Sequence, residues 1–214
     1  MGQKKLIRFA ELETFKNVLQ YPENMQGNWS EWFDNEGAIV LELACGKGEY
    51  AVGLGRMYPH KNFIGIDQKG NRLWVGAKQC IREGMNNVGF LRTQIDKINS
   101  YFRKDEVAEI WITFPDPQPS KSRKRLTSSR FLGHYRNIAA PAACINLKTD
   151  SDLFYESTLE TIAEEKLNLL ENVSDVYRFP CAPELKEIQT FYEKIWLKEG
   201  RTIKYLKFRL NPSD

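Results

Sequence analysis

The chain has 214 residues, 42% of them hydrophobic and 28% charged, with a net charge of +3. That suffices for the core of one α/β domain, and no apolar run reaches membrane-spanning length, so no transmembrane helix is expected. Cys45, Cys80, Cys144 and Cys181 form no C-x-x-C pair and the only histidines are His60 and His134, which argues against a zinc ribbon, a redox pair or a histidine-rich metal site.

The stretch from Met1 to Arg8 lacks the long apolar core of a secretory signal, and the scattered cysteines in a chain of this size read as reduced thiols, so a cytoplasmic location is expected. Residues 1–37 read as an N-terminal arm. Within it, Lys4 to Gln20 is either a short helix or a flexible arm. Tyr21-Pro22-Glu23-Asn24 breaks it, and Trp29–Phe33 reads as a short helix.

Residues 38–214 read as one domain in which strands and helices alternate. Ala38–Ala44 is a short apolar strand, followed by Gly46 and Gly48 and a helical segment from Glu49 to Met57. Asn62–Asp67 is a second strand, and Asn71–Glu83 is a helix closed by Gly84. Val88–Ile95 and Val107–Phe114 are the third and fourth strands, and Ala142–Lys148 is the fifth. The spacing of Leu153, Glu156, Leu159 and Ile162 predicts a helix over 152–166. Strand-like pieces near 167–176 and 202–210 complete the chain. Such alternation implies βαβ units and a mainly parallel sheet, with ligands bound at the carboxyl ends of the strands. Glycines and acids gather at those ends: Gly46, Gly48, Asp67, Asp96, Asp116 and Asp150.

Gly46-Lys47-Gly48-Glu49-Tyr50-Ala51 fits a nucleotide-binding glycine turn, and Asp67 lies where an acid can accept from ribose hydroxyls. NAD and S-adenosylmethionine both carry adenosine, so both suit Asp67. Two residues favour the latter. Glu42, just before the turn, suits a cofactor with sulfonium and ammonium groups and would repel a pyrophosphate. Asp96 can accept from an adenine amine. The plainer alternatives are a strand residue on a solvated edge for Glu42 and a helix cap for Asp96.

Phe114-Pro115-Asp116-Pro117 follows the fourth strand. Two prolines fix φ and brace Asp116 at the strand end, although a simple turn explains the same residues. From Pro117 to Thr149 there is no Asp or Glu, while Lys121, Arg123, Lys124, Arg125, Arg130, Arg136 and Lys148 all fall there. A one-sign block beside a site attracts anions, nucleic-acid phosphates among them; a solvated basic loop is the simpler reading.

In combination, Leu41-Glu42-Leu43-x-x-Gly46-x-Gly48, Gly65-Ile66-Asp67, Asp96, Phe114-Pro115-Asp116-Pro117, Arg125-Leu126-Thr127, Thr149-Asp150 and Thr190-Phe191-Tyr192-Glu193 resemble the bacterial tRNA (guanine-N7-)-methyltransferases, from about Ile39 onward. The resemblance implies a three-layer αβα, Rossmann-like fold with a seven-stranded, mainly parallel sheet. It implies methyl transfer from S-adenosylmethionine to guanine N7 at position 46 of the tRNA variable loop. By that carry-over, Glu42, Gly46, Gly48, Asp67, Asp96 and Asp116 line the cofactor site, and Asp116 is the catalytic residue. Asp150, Thr190, Tyr192 and Glu193 match substrate-binding positions, with Lys121, Arg123, Lys124 and Arg125 on tRNA phosphates. The expected partner is tRNA, with no membrane and no metal, for a monomer or homodimer.

The chain departs from the family pattern where Gln118 replaces a usual Trp, where Ser120 stands at a common Lys, and where Ala44-Cys45 replaces a usual Gly. The last change is expected to alter packing only. Three other classes explain part of the pattern, one of them a non-catalytic RNA-binding module that would use the basic run alone. An exocyclic-amine methyltransferase would carry an aromatic after Asp116-Pro117, where this chain has Gln118-Pro119. An NAD-dependent oxidoreductase would share the glycine turn.

Overall fold

The short apolar runs become strands with both faces covered, which is why they read as continuous and not alternating. A computed structural model describes residues 3–212; Met1 and Gly2 of the N-terminal arm lie outside the described residues. The strands are β1 (Val18–Gln20), β2 (Ile39–Leu43), β3 (Asn62–Asp67), β4 (Val88–Arg92), β5 (Val107–Thr113), β6 (Ala139–Thr149), β7 (Leu167–Val173) and β8 (Lys204–Pro212). They form one sheet in the order β1-β4-β3-β2-β5-β6-β8-β7. β1 to β6 pair in parallel, while β8 runs antiparallel between β6 and β7. The sheet is mainly parallel as expected, but has eight strands and not seven. The extra one is β1, a three-residue edge strand in a segment read as helix or arm.

The helices are α1 (Gln3–Thr14), α2 (Trp29–Phe33), α3 (Glu49–Met57), α4 (Gly70–Glu83), α5 (Ser129–Arg136), α6 (Asp152–Glu164), α7 (Glu184–Glu187) and α8 (Phe191–Lys198). Two apolar clusters make the three layers. On one face, Leu41, Leu43, Ile64, Ile66, Ile110 and Ile112 meet Trp29 of α2, Phe131 and Tyr135 of α5, and Phe154 and Ile162 of α6. On the other, Val40, Phe63, Phe90 and Trp111 meet Leu12 of α1, Tyr50 and Leu54 of α3, Leu73 and Ala77 of α4, and Leu185 of α7.

Residues before β2 pack onto this body. The Trp29 indole N–H donates to the Tyr101 carbonyl at 2.8 Å, and its ring stacks on Phe102 at 5.0 Å. The Trp74 indole of α4 donates to Glu11 of α1 at 2.7 Å.

Register positions the site. Leu43 pairs with Ile66 on one side and Ile112 on the other, and Thr113 pairs with Lys148. Ala44, Asp67, Phe114 and Thr149 therefore emerge along one edge of the sheet. Strand order reverses between β2 and β5, which opens a crevice at that edge. β4 ends at Arg92, sooner than the predicted third strand, so Asp96 sits in a following 3₁₀ turn, Ile95–Ser100.

Candidate functional site

Gly46 and Gly48 both adopt positive φ, 57° and 70°. A Cβ on Gly48 would come within 2.3 Å of the Phe90 ring, while Gly46 faces open space. Asp67, at the end of β3, holds this turn. Its Oδ2 accepts from the Gly46 N–H at 3.0 Å and its Oδ1 from the Lys69 N–H at 2.8 Å.

Glu42 lies beneath the turn. It is 3% exposed, with Oε2 accepting from the Ala51 N–H at 2.8 Å and Oε1 from the Thr113 hydroxyl at 3.1 Å. Gly48 is the N-cap of α3 and has no side chain to cap the helix's free N–H groups; Glu42 supplies that acceptor from the neighbouring strand. Burial pushes its carboxyl up to about 8. The structure does not bring Glu42 to the lining of a cleft. Its position supports the glycine turn from below.

Two clefts open at the edge. One, of about 500 Å³, is lined by Ala44, Asp67, Thr93, Asp96, Asp116 and Phe131 among others. Asp96 is half-exposed there, 3.8 Å from Arg130. The other, of about 960 Å³, is lined by Asp116, Asp150, Tyr192, Trp196, Arg201 and Lys204 among others. Arg72, Phe114, Pro115 and Asp116 belong to both. The proline-braced loop is thus a wall shared by two clefts. Phe114 and Gln118 take positive φ, 49° and 46°, on either side of it. The Phe114 N–H donates to the Lys148 carbonyl at 2.8 Å, and the exposed Asp116 carboxylate accepts from the Gln118 N–H at 3.0 Å.

The larger cleft separates the expected substrate residues. Asp150, at the end of β6, accepts from Arg201 at 3.0 Å, and Tyr192 is exposed on α8. Thr190 and Glu193 are buried and line neither cleft. Together they form the capping box of α8. Glu193 also accepts from the Tyr177 hydroxyl at 2.8 Å and pairs with the buried ammonium of Lys148 at 2.6 Å. Lys148 further donates to the carbonyls of Leu185 and Ile188. Burial holds its ammonium below the usual lysine range, against the pull of Glu193.

The basic run projects from the same edge. Lys121, Arg123 and Lys124 are exposed, Arg125 is half-buried with its Nε donating to the Pro117 carbonyl at 3.1 Å, and Ser122–Lys124 form a 3₁₀ turn. Among the described residues none of these four cations pairs with a carboxylate.

The sequence pattern of a family described as putative methyltransferase matches residues 36–206. Over 98% of this chain and 87% of its relative, the sequence is 45% identical to a tRNA (guanine-N(7)-)-methyltransferase of Bacteroides thetaiotaomicron. It is 47% identical to one of Porphyromonas gingivalis, over 95% and 88% of the two chains. The chain belongs to the tRNA (guanine-N(7)-)-methyltransferase family. Its fold is that of the solved 16S rRNA methyltransferase KamB, at TM-score 0.67 and 15% identity over 92% of this chain and 99% of that one.

The smaller cleft fits the S-adenosylmethionine such a family implies. Asp67 and Asp96 offer acceptors on its wall and the volume is that of a small-molecule site, while Gly46 and Gly48 are not among its lining residues and meet it only through Asp67, which binds the Gly46 N–H. Among the described residues, no helix is long and apolar enough to cross a membrane, and no group of three His, Cys, Asp or Glu side chains is arranged to hold a metal.

Sequence reasoning missed the place of several residues at this edge: Lys148, Trp196, Arg201 and Arg72. A lone lysine closing an apolar strand was the available signal for Lys148, and the Thr-x-x-Glu spacing was the signal for α8. The Ala44 change also differs from expectation. Ala44 sits at φ 54°, so its effect is backbone strain where a glycine is free, and not packing alone.

Proposed function

We propose that this chain transfers the methyl group of S-adenosylmethionine to N7 of guanine at position 46 of tRNA. The observation that carries the reading is the wall shared by the two clefts. It sets the Asp116 carboxylate between a pocket fitted to the cofactor and a pocket with an acid and aromatics suited to a base.

When bound, S-adenosylmethionine supplies a methyl group on a positively charged sulfur, which leaves as a neutral thioether. Guanine N7 carries a lone pair and no proton, so it attacks the methyl carbon without a general base. The N7–C bond would form as the S–C bond broke, and the positive charge would pass to the purine. Asp116 stabilises that charge and orients the base. Asp67 and Asp96 hold the adenosine, and the Gly46–Gly48 turn lets the backbone approach it.

Asp150 accepts from the guanine N1–H and 2-amino group once the base leaves its stack. Tyr192 flanks it. Thr190 and Glu193 act indirectly, by fixing the start of α8 and tying it to β6. Lys121, Arg123, Lys124 and Arg125 hold phosphates, so affinity falls as salt rises. The enzyme works in the cytoplasm as a monomer or homodimer, with residues 1–37 as an N-terminal extension to the catalytic domain.

The test is incubation of unmodified tRNA with protein and S-adenosylmethionine, followed by mass spectrometry of the nucleosides and mapping of the modified position. The expected product is 7-methylguanosine at position 46. Folded protein that incorporates no methyl group overturns the reading, and methyl on an exocyclic amine replaces it.

A further inference from the structure

The larger cleft contains a side-chain arrangement that the reaction as described does not use. Arg201 reaches across it. Its Nη1 donates to Asp150 Oδ2 at 3.0 Å, its other nitrogens meet Glu199 at 2.9–3.0 Å, and the guanidinium lies 5.7 Å from the centre of the Trp196 ring. Trp196 in turn packs on Phe114 of the shared wall at 5.0 Å and stacks with Tyr192 at 5.7 Å. Arg201, Asp150, Trp196, Tyr192, Phe114 and Asp116 all line the one cleft.

A guanidinium is flat, offers parallel N–H donors that match a carboxylate, and stacks on aromatic faces. The Watson–Crick edge of guanine has the same character. It is flat, and its N1–H and 2-amino group are adjacent donors. Arg201 sets one N–H, from Nη1, on Asp150, where a donor of that edge would sit, while its Nε and Nη2 turn to Glu199.

We propose that Arg201 occupies the guanine seat in the free protein, on the Asp150 carboxylate and beside Trp196, and is displaced when guanine enters. The inference rests on the guanine reading above and deepens it. The Arg201 side chain is 49% exposed and its stem is flexible, so it yields readily. Asp150 is only 13% exposed and stays in place as the fixed acceptor. Trp196 offers the stacking wall. Guanine replaces the N–H on Asp150 and the contact with Trp196, and the arginine keeps Glu199. Adenine presents an acceptor at N1 and cannot, so Asp150 remains closed to it. Selection then comes from the resident arginine as well as from the hydrogen bonds that guanine makes.

The test uses the full chain and two free nucleosides, guanosine and adenosine, titrated by calorimetry into wild type, Arg201→Met, Asp150→Asn and the double variant. Removal of a half-exposed ionic competitor should tighten guanosine binding about two- to five-fold and leave adenosine unchanged. The gain should vanish on an Asp150→Asn background. It should also shrink in 1 M salt, where the wild-type ion pair is screened. Unchanged or weaker guanosine binding by Arg201→Met overturns the proposal, as does guanosine binding by neither protein. Arg201→Gln, with a thermal melt, guards against a folding defect peculiar to methionine. Wild-type methylation of tRNA is measured in parallel. Loss of that activity sinks the function and not the binding comparison, whereas normal methylation with unaltered guanosine binding sinks Arg201 alone.

Discussion

Glu42→Gln separates the structural role of this acid from its charge. The carboxyl is 3% exposed, accepts from Ala51 and Thr113, and is pushed from 4.5 up to about 8 by burial. Because the folded value is the higher one, the protonated form is favoured by folding. The stabilisation is fully present below the unfolded value and is lost as pH rises through about 8. At 1.36 kcal/mol per pH unit, that displacement sets a ceiling of ~5 kcal/mol for the loss between pH 4.5 and 8. Glutamine keeps the shape, keeps an acceptor for Ala51, and has no proton to lose. Urea denaturation of both proteins at pH 5.5, 7 and 8.5 measures the difference, and the comparison cancels every other titrating group. Wild type should lose on the order of 2–4 kcal/mol more than Glu42→Gln across that range. Parallel pH dependences in the two proteins would refute the reasoning.

Asp116→Asn should slow methyl transfer about 100-fold at saturating tRNA, as expected when one electrostatic partner of a developing charge is lost. Because Asp116 is exposed, the melting temperature should not move; full turnover by the variant would remove Asp116 from the chemistry. Ala44→Gly should stabilise the protein by about 0.5–1 kcal/mol, seen as a rise of about 1–4 °C in melting temperature, by relieving positive φ. A lower melting temperature would mean that the alanine methyl packs better than the strain costs. Glu193→Ala should cost about 3–5 kcal/mol by stranding the Lys148 ammonium, and Lys148→Met with Glu193→Leu should cost less than the two single losses added together. Additive losses in denaturation experiments would show that the pair is not coupled.

The strands from β2 to β6 were legible because short apolar runs bounded by glycine, proline and acids have few other uses in a chain of this size. The same property hid the direction of their side chains. β2 is buried at every position, so no alternation told whether Glu42 faced the cofactor or the underside of α3. β1 was not legible, since three residues carry too little pattern and its partner β4 lies about seventy residues away. α5 lay inside the basic block, where Arg130, His134 and Arg136 masked the spacing of Phe131, Leu132 and Tyr135. α8 was masked differently. Thr190 and Glu193 match ligand positions by resemblance, yet a threonine followed three residues later by glutamate is also a helix-start signal. Of the acids, Asp67, Asp96, Asp116 and Asp150 do reach the clefts. Arg201 had no local signal, since only the return of the chain through β8 brings it to Asp150.

The loop from Phe114 to Asp116 borders both clefts, and this has a use in inhibitor design. If the two clefts take the cofactor and the base as proposed, an adenosyl group and a guanine joined by a short, stiff linker would lie on both sides of the same three residues at once. The second half would then bind at the high effective concentration that the linker sets. Such a bisubstrate molecule would need no new interaction with the protein to exceed either half in affinity. Its best linker length would be a direct ruler of the gap that the methyl group crosses.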